Sequence, residues 1–128
     1  MDTPKKGQLI AGWILTGLIG AMMLMAGSMG IMHPASAVEG FNKFGYPEST
    51  MVPIGIAATV SALLFLIPRT TVLGAILLTG YLGGAVATHA RVLDNASIPA
   101  PIVFGALVWL AVYLRDPRVR ALLPLRAS

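Results

Sequence analysis

The chain contains no cysteine and unusually little charge. Among its 128 residues, charged side chains make up 11% and hydrophobic side chains 56%, whereas average soluble domains carry roughly 25% charged residues. The absence of cysteine excludes disulfides, thiol relay chemistry and thiolate metal sites within this chain. So little charge cannot cover a water-facing surface, and we therefore predict that lipid surrounds the protein.

Motifs for nucleic-acid binding and for self-sufficient catalysis are also absent. The net charge is +4, but the basic residues lie at the ends of apolar segments and form no patch with interleaved aromatics. We therefore expect no nucleic-acid partner, and we expect anionic membrane lipid to attract these residues. No phosphate loop and no nucleophile with a base at a recognisable spacing is present, so whether the chain is an enzyme stays open.

Four apolar segments are each close to the ~20 residues that cross a bilayer. They cover residues 8–32, 51–67, 71–89 and 98–114. Lys5 and Lys6 before the first segment, with the small residues 35–37 after it, imitate a signal peptide, but the apolar run is about twice as long as a signal's hydrophobic region. We therefore predict an uncleaved first helix and an all-α, integral membrane, antiparallel four-helix bundle, with residues 1–128 forming a single domain.

The basic residues are divided unequally between the two sides of this predicted bundle. Lys43 and Arg91 lie on one side, and seven others lie on the opposite side: Lys5, Lys6, Arg69, Arg115, Arg118, Arg120 and Arg126. Cytoplasmic loops carry the excess of Lys and Arg. This distribution predicts cytoplasmic N- and C-termini, with residues 115–128 as a cytoplasmic tail.

Small residues recur at helical spacing within the segments. Gly12 and Gly20 share a face of the first segment, and Gly80 and Gly84 form a GxxxG pair in the third. Transmembrane helices associate through small residues that let their backbones approach closely. We therefore predict that these four glycines are helix-packing positions.

The loop at residues 33–50 is long for a connection between bundle helices. Val38, Phe41 and Phe44 recur within it at intervals of three, a partial amphipathic pattern. This pattern predicts a short helix lying in the membrane interface. Gly45-Tyr46-Pro47 then turns the chain into the second segment, so the loop is expected to cap the outer mouth of the bundle.

The candidate ligand-binding residues lie toward that outer mouth. Glu39 and Tyr46 belong to the 33–50 loop, His89 and Arg91 end the third segment, and Tyr81 lies deeper in the same segment. The topology brings the two sets to one membrane face. An outer pocket there is the predicted site.

Helical geometry separates His89 from Arg91, because two residues correspond to about 200° around a helix. Arg91 is in line with Gly80, Gly84 and Ala87, whereas His89 is nearer to the row of Leu78, Leu82 and Ala85. We therefore predict that Arg91 faces the bundle and pairs with Glu39 or Asp94, and that His89 faces headgroups or the amphipathic loop.

Simpler interpretations of the same residues stay open. An arginine at a helix end commonly extends to the membrane interface, and a histidine there is commonly solvated. The two histidines have no cysteine or carboxylate at metal-ligand spacing, so no metal site is predicted. Most hydroxyls in the segments are expected to bond their own helix backbone, whereas the Tyr81 phenol is expected to need a partner.

Three stretches resemble the DoxX-like family of small bacterial membrane proteins. They are IPRTTVLGAILLTGYLGGAVATHAR (67–91), WLAVYLRDPRVRALLPL (109–125) and Gly45-Tyr46-Pro47. The resemblance implies a four-helix, multi-pass protein of the bacterial inner (cytoplasmic) membrane. Related proteins include a subunit of an archaeal thiosulfate:quinone oxidoreductase, and other members are linked to redox stress.

Two functions follow as expectations. The resemblance implies a redox-associated membrane protein that binds a quinone or another lipophilic small molecule, or that serves as the membrane subunit of a partner oxidoreductase. No cofactor other than this quinone is indicated. The alternative is a non-catalytic membrane scaffold that forms homo-oligomers or binds a partner protein. Without cysteine, this chain cannot itself carry a thiol-based function.

Overall fold

The structure, a computed structural model, describes residues 4–92 and 94–126. Four long helices form the bundle: α1 (Lys6–Met32), α3 (Met51–Leu66), α4 (Thr71–Arg91) and α5 (Pro99–Arg115). Two short helices, α2 (Ala35–Lys43) and α6 (Pro117–Arg120), follow α1 and α5. No strand occurs in the described ranges, and the predicted all-α four-helix fold is confirmed.

The four long helices form a closed ring in the order α1, α3, α4, α5. α1 packs against α3 and α5, and α4 packs against the same two helices. Gly12 near the start of α1 lies beside Arg115 at the end of α5, and Gly30 near the end of α1 lies beside Met51 at the start of α3. Neighbouring helices therefore run antiparallel.

The bundle has small residues inside and large apolar residues outside. Fully buried positions include Ala58, Ala62, Ala75 and Ala111, whereas Ile14, Leu18, Met25 and other large side chains are exposed on the outer surface. All four long helices are long and apolar enough to cross a membrane. For α3, α4 and α5 the apolar span includes the short turn before the helix. This distribution is typical of a protein surrounded by lipid. Lipid solvates leucine well, so membrane helices associate through small residues that let their backbones approach closely.

α1 and α3 approach each other closely through glycines. A methyl group added at Gly55 would lie 2.7 Å from the Gly27 carbonyl oxygen, and one added at Gly30 would lie 2.9 Å from Gly55 Cα. Real Cβ atoms do not approach backbone so closely. Gly12 and Gly20 are buried at further contacts of α1, against Arg115 and Leu66.

The predicted packing role of Gly80 and Gly84 is wrong for this chain. Among residues 4–92 and 94–126, no atom lies within 4 Å of a methyl group added at either glycine, and both residues are exposed. The close approach of α4 occurs instead at Gly74, where an added methyl group would lie 2.5 Å from Phe65 Cα. The buried row of α4 continues from Gly74 through Leu78 and Leu82, on a different face from the GxxxG pair.

The hydroxyls within the spans bond their own helices, as expected. Thr16, Ser28, Thr59, Ser61 and Thr79 each donate to a carbonyl three or four residues earlier. These bonds satisfy the hydroxyl protons without a partner from another helix.

The connections differ from the predicted boundaries by a few residues. α4 continues to Arg91, two residues beyond the predicted span, and α2 lies within the 33–50 loop. The position of α2 in a membrane interface stays a prediction. The predicted tail contains α6, and its last two residues, 127–128, lie outside the described part of the chain.

Candidate functional site

A cavity of about 540 Å³ lies between α2 and the second half of α4. It is referred to below as the covered cavity, because α2 forms the wall that faces α4. Its lining residues come from α2 and the following turn, from α3 and from α4: Ala37, Gly40, Phe41, Phe44, Tyr46, Ile54, Gly80, Tyr81, Gly84, Ala85, Thr88 and His89.

The end of α2 is fixed by a turn that requires glycine. Gly45 has a φ of +82°, in the left-handed region. The Gly45 N–H donates to the Asn42 carbonyl (3.0 Å), and the Tyr46 N–H donates to the Phe41 carbonyl (2.9 Å). These two bonds form a Schellman motif, which ends α2 and directs Tyr46 toward α4.

Tyr46 connects this turn to α4 through a hydrogen bond. Its hydroxyl lies 2.6 Å from Thr88 Oγ1. The Thr88 hydroxyl donates its single proton to the Gly84 carbonyl at 2.9 Å, so Tyr46 is the donor in the bond to Thr88. The loop and α4 are therefore joined at the rim of the covered cavity.

Arg91 makes a second connection between the same two segments. Its Nη2 donates to the Phe44 carbonyl, and its guanidinium carbon lies 5.3 Å from the Tyr46 ring centroid. Arg91 is exposed and does not line the cavity. Its contacts hold the α2–α3 turn in place from outside.

His89 lies inside the rim. Its ring meets the Phe44 ring edge to face, with centroids 4.9 Å apart. Nδ1 lies 3.4 Å from Asp94 Oδ2, but this approach does not satisfy hydrogen-bond geometry, and Nδ1 is buried without another partner among the described residues. Asp94 therefore places a carboxyl group next to the imidazole ring without forming a hydrogen bond to it.

The floor of the covered cavity combines a tyrosine with two glycines. Tyr81 is half-buried, and its hydroxyl makes no hydrogen bond within residues 4–92 and 94–126. Gly80 and Gly84 lie on either side of it in sequence and have no side chains to fill the space. The floor therefore presents a phenol donor beside open volume.

The structure brings three of the five predicted ligand-binding residues to one cavity. Tyr46, Tyr81 and His89 line it, whereas Glu39 is exposed on α2 and does not. No ion pair joins Arg91 to Glu39 or Asp94 in the described ranges, so the prediction that Arg91 pairs with a carboxylate inside the bundle is wrong.

The positions of His89 and Arg91 follow from which row of α4 residues packs against the other helices. The small-residue pattern predicts that the row of Gly80, Gly84 and Ala87 faces the bundle, and Arg91 is in line with this row. The helix instead packs through Leu78 and Leu82, and His89 is in line with these residues. His89 therefore points inward to the loop aromatics, and Arg91 lies outside.

The sequence reasoning missed three residues as members of the site. The amphipathic pattern predicts Phe41 and Phe44 on an interfacial helix face, and no motif includes Thr88. The three-residue spacing of the phenylalanines was the available signal for a shared face, but it does not distinguish a lipid surface from a cavity wall. Nothing in the sequence marks Thr88 as the acceptor for Tyr46.

Metal chemistry has no obvious location in the part of the chain that the structure describes. Within residues 4–92 and 94–126, no group of three or more His, Cys, Asp or Glu side chains is close enough together to hold a metal ion. The arrangement around the covered cavity can instead donate hydrogen bonds to a ligand with an acceptor oxygen and surround an apolar ring.

The model of the DoxX-like family matches residues 14–111, which include most of α1, all of α2 to α4 and most of α5. No curated protein matches the chain significantly, and no solved structure does so either.

Proposed function

The chain belongs to the DoxX-like family, and we propose that this member binds a lipophilic small molecule with a polar head in the covered cavity. The four apolar helices make it a multi-pass membrane protein. The observation that carries the proposal is the cavity itself, bounded on one side by α2 and supplied with polar groups at its floor and rim.

The size and lining of the cavity support a small-molecule site. Ligand sites commonly occupy about 300–1,000 Å³ and are mostly apolar with a few well-placed polar groups, and this cavity measures about 540 Å³. Phe41, Phe44 and Ile54 supply apolar walls, and Tyr81 and His89 supply polar groups.

A quinone is the ligand class that fits these groups best. A quinone has a flat ring with carbonyl oxygens that accept hydrogen bonds, and its apolar tail partitions into lipid. The free phenol of Tyr81 and the ring of His89 are the donors for those oxygens, and the aromatic walls match the flat ring. The hydroxyl proton of Tyr46 is already given to Thr88, so Tyr46 holds the wall in place and is not assigned a donor role.

The same proposal extends to a redox association. A protein that holds a quinone at the outer end of a membrane bundle supplies the electron acceptor or donor for an oxidoreductase in a partner subunit. Under this proposal the chain is that membrane subunit in the bacterial inner membrane. It provides the quinone site and leaves substrate chemistry to the partner.

The binding test uses the detergent-purified protein and a short-chain quinone such as ubiquinone-1. We expect a saturable rise in Tm. Tyr81→Phe and His89→Gln are each expected to raise the midpoint concentration about fivefold, because a neutral hydrogen bond is worth about 1 kcal/mol. Tyr113→Phe is the matched control, since Tyr113 lies near the end of α5 and does not line the covered cavity.

Two results would overturn the proposal. One is the absence of any saturable effect with ubiquinone-1 and with a menaquinone analogue. The other is an equal loss of affinity in Tyr113→Phe and Tyr81→Phe, which would place binding on the general protein surface.

A scaffold function is the second candidate, because one small-residue face of α4 has no neighbour among the residues that the structure describes. Gly83 and Ala87 are exposed, and no atom lies within 4 Å of a methyl group added at Gly83. Such a face allows another helix to approach closely. Native mass spectrometry of the detergent complex tests it. A dimer that Gly83→Leu dissociates would support the scaffold, and a strictly monomeric wild type without a co-purifying partner would remove it.

A further inference from the structure

A second cavity of about 540 Å³ opens at the opposite end of the bundle, where α1 begins and α5 ends. It is called the basic cavity below. Its walls are the first turns of α1, the α3–α4 turn with the start of α4, and the α5–α6 junction. Three arginines and one aspartate line it: Arg69, Arg115, Arg118 and Asp116.

Arg115 reaches from this cavity into the bundle. Its Nη1 donates to Thr16 Oγ1 at 3.0 Å, and Thr16 is fully buried. Its guanidinium carbon lies 3.6 Å from the centroid of the Trp13 ring. Arg115 Nε is buried and has no hydrogen-bond acceptor within the described ranges. These contacts hold a guanidinium group in one orientation and leave part of its donor capacity unused.

The charges lining the cavity do not cancel. Arg118 engages both oxygens of Asp116, with Nε to Oδ1 at 3.1 Å and Nη2 to Oδ2 at 3.2 Å. This bidentate pair uses the single carboxylate of the cavity. Arg69 and Arg115 have no carboxylate partner among residues 4–92 and 94–126, so two guanidinium charges stay uncompensated at the mouth of an apolar bundle.

We propose that the basic cavity binds a phosphate-bearing anion between Arg69 and Arg115. The planar guanidinium groups match phosphate oxygens in bidentate geometry, and basic pockets between transmembrane helices accommodate anionic lipid headgroups. The apolar walls formed by Leu9, Trp13 and Val72 suit the glycerol and first acyl carbons of a phospholipid. The chemistry recognised is the phosphate group, which either a lipid headgroup or free phosphate supplies.

The experiment measures Tm of the detergent-purified protein at constant ionic strength against three probes. These are dihexanoyl-phosphatidylglycerol, inorganic phosphate and dihexanoyl-phosphatidylcholine. We expect a saturable rise with phosphatidylglycerol or phosphate and none with phosphatidylcholine. Saturation by the anionic lipid alone assigns the site to a headgroup, and saturation by inorganic phosphate alone assigns it to the free anion.

The variants connect this response to the cavity. Arg69→Gln and Arg115→Gln are each expected to raise the midpoint concentration about tenfold, the effect of losing one charge-assisted hydrogen bond. Arg126→Gln removes the same charge from an exposed position that does not line the cavity and is expected to leave the midpoint unchanged. Arg69 is exposed, and its side chain makes no hydrogen bond or ion pair within residues 4–92 and 94–126. Arg69→Gln therefore carries the test even if Arg115→Gln lowers Tm by itself.

The proposal is overturned if neither anionic probe gives a saturable rise above that of a chloride control. It is also overturned if Arg126→Gln weakens the response as much as Arg69→Gln. Neither result bears on the covered cavity, which lies at the other end of the bundle and is tested with a quinone.

Discussion

The glycines of the α1–α3 contact and the Gly80–Gly84 pair of α4 follow similar helical spacing but have opposite surroundings. Backbone atoms lie within 3.0 Å of a methyl group added at Gly27, Gly30 or Gly55, whereas no atom lies within 4 Å of one added at Gly80 or Gly84. The first group brings two helices together, and the second leaves space that becomes the floor of the covered cavity. A row of small residues therefore shows that another helix can pack closely against that face. The arrangement of the other helices decides whether one does.

The largest expected effect comes from adding a methyl group within the close α1–α3 contact. Gly55→Ala places a methyl group 2.7 Å from the Gly27 carbonyl oxygen, which α1 and α3 relieve only by moving apart. We expect a loss of about 1–3 kcal/mol in stability, measured by thermal or denaturant unfolding in detergent. Gly17→Ala adds the same group to α1, where no atom lies within 4 Å, and is expected to leave stability unchanged or raised. Equal losses in both variants would refute the close-contact explanation.

Adding a large side chain at Gly84, beside the covered cavity, is expected to weaken quinone binding and to leave stability unchanged. Gly84→Leu directs a side chain into the covered cavity. We expect quinone affinity to fall about tenfold or more, because overpacking in the complex costs about 1–3 kcal/mol. Gly83→Leu is the control, because Gly83 is equally free of neighbours but does not line the cavity. Thermal-shift titration of both variants measures the difference, and unchanged affinity in Gly84→Leu would contradict the assigned site.

A smaller effect is expected at the rim, where α4 holds the loop. Tyr46→Phe removes the donor to Thr88 Oγ1, a bond worth about 1 kcal/mol, so local opening of α2 is expected to become about fivefold more frequent. Hydrogen exchange of residues 35–43 measures this opening, and exchange in α1 and α3 is expected to stay unchanged. If residues 35–43 exchange at the wild-type rate in Tyr46→Phe, this hydrogen bond does not hold α2 over the cavity.

The smallest effect is expected outside both glycine regions, at Asp116. Partial burial by itself raises the pKa of this carboxyl, but hydrogen bonds from the Arg118 side chain and backbone, with its charge, outweigh burial and lower the pKa overall. A lowered folded-state pKa stabilises the protein above the unfolded-state value and loses this contribution as pH falls through the folded value. Wild-type stability is therefore expected to decline slightly below about pH 4.

Asp116→Asn is the comparison for this pH dependence. The variant lacks the titrating group, so the difference in Tm between it and the wild type is expected to shrink as the wild type is acidified below about pH 4. A constant difference from neutral to acidic pH would show that the carboxylate charge does not contribute.

The fold was more predictable than the site because the two depend on different kinds of information. The four apolar runs and the basic residues between them indicate helix number and topology directly, and the observed helices begin and end within a few residues of the predicted spans. The location of Tyr46, Tyr81 and His89 around one cavity depends on how α4 is rotated about its axis. The sequence of α4 contains two rows that could face inward, one of glycines and one of leucines, and the helix packs through the leucine row.

The sequence by itself determined that this chain is a bundle of membrane-crossing helices, because apolar length and scarcity of charge allow no other solvent. It also determined the turn at Gly45, where a left-handed backbone is compatible with glycine. Only the tertiary structure decided that α4 packs through Leu78 and Leu82, which places His89 inward, Arg91 outward and Gly80 and Gly84 beside open space. That outcome depends on the combined contacts of α3, α5 and the α2 turn with α4, and no residue spacing within α4 contains those contacts.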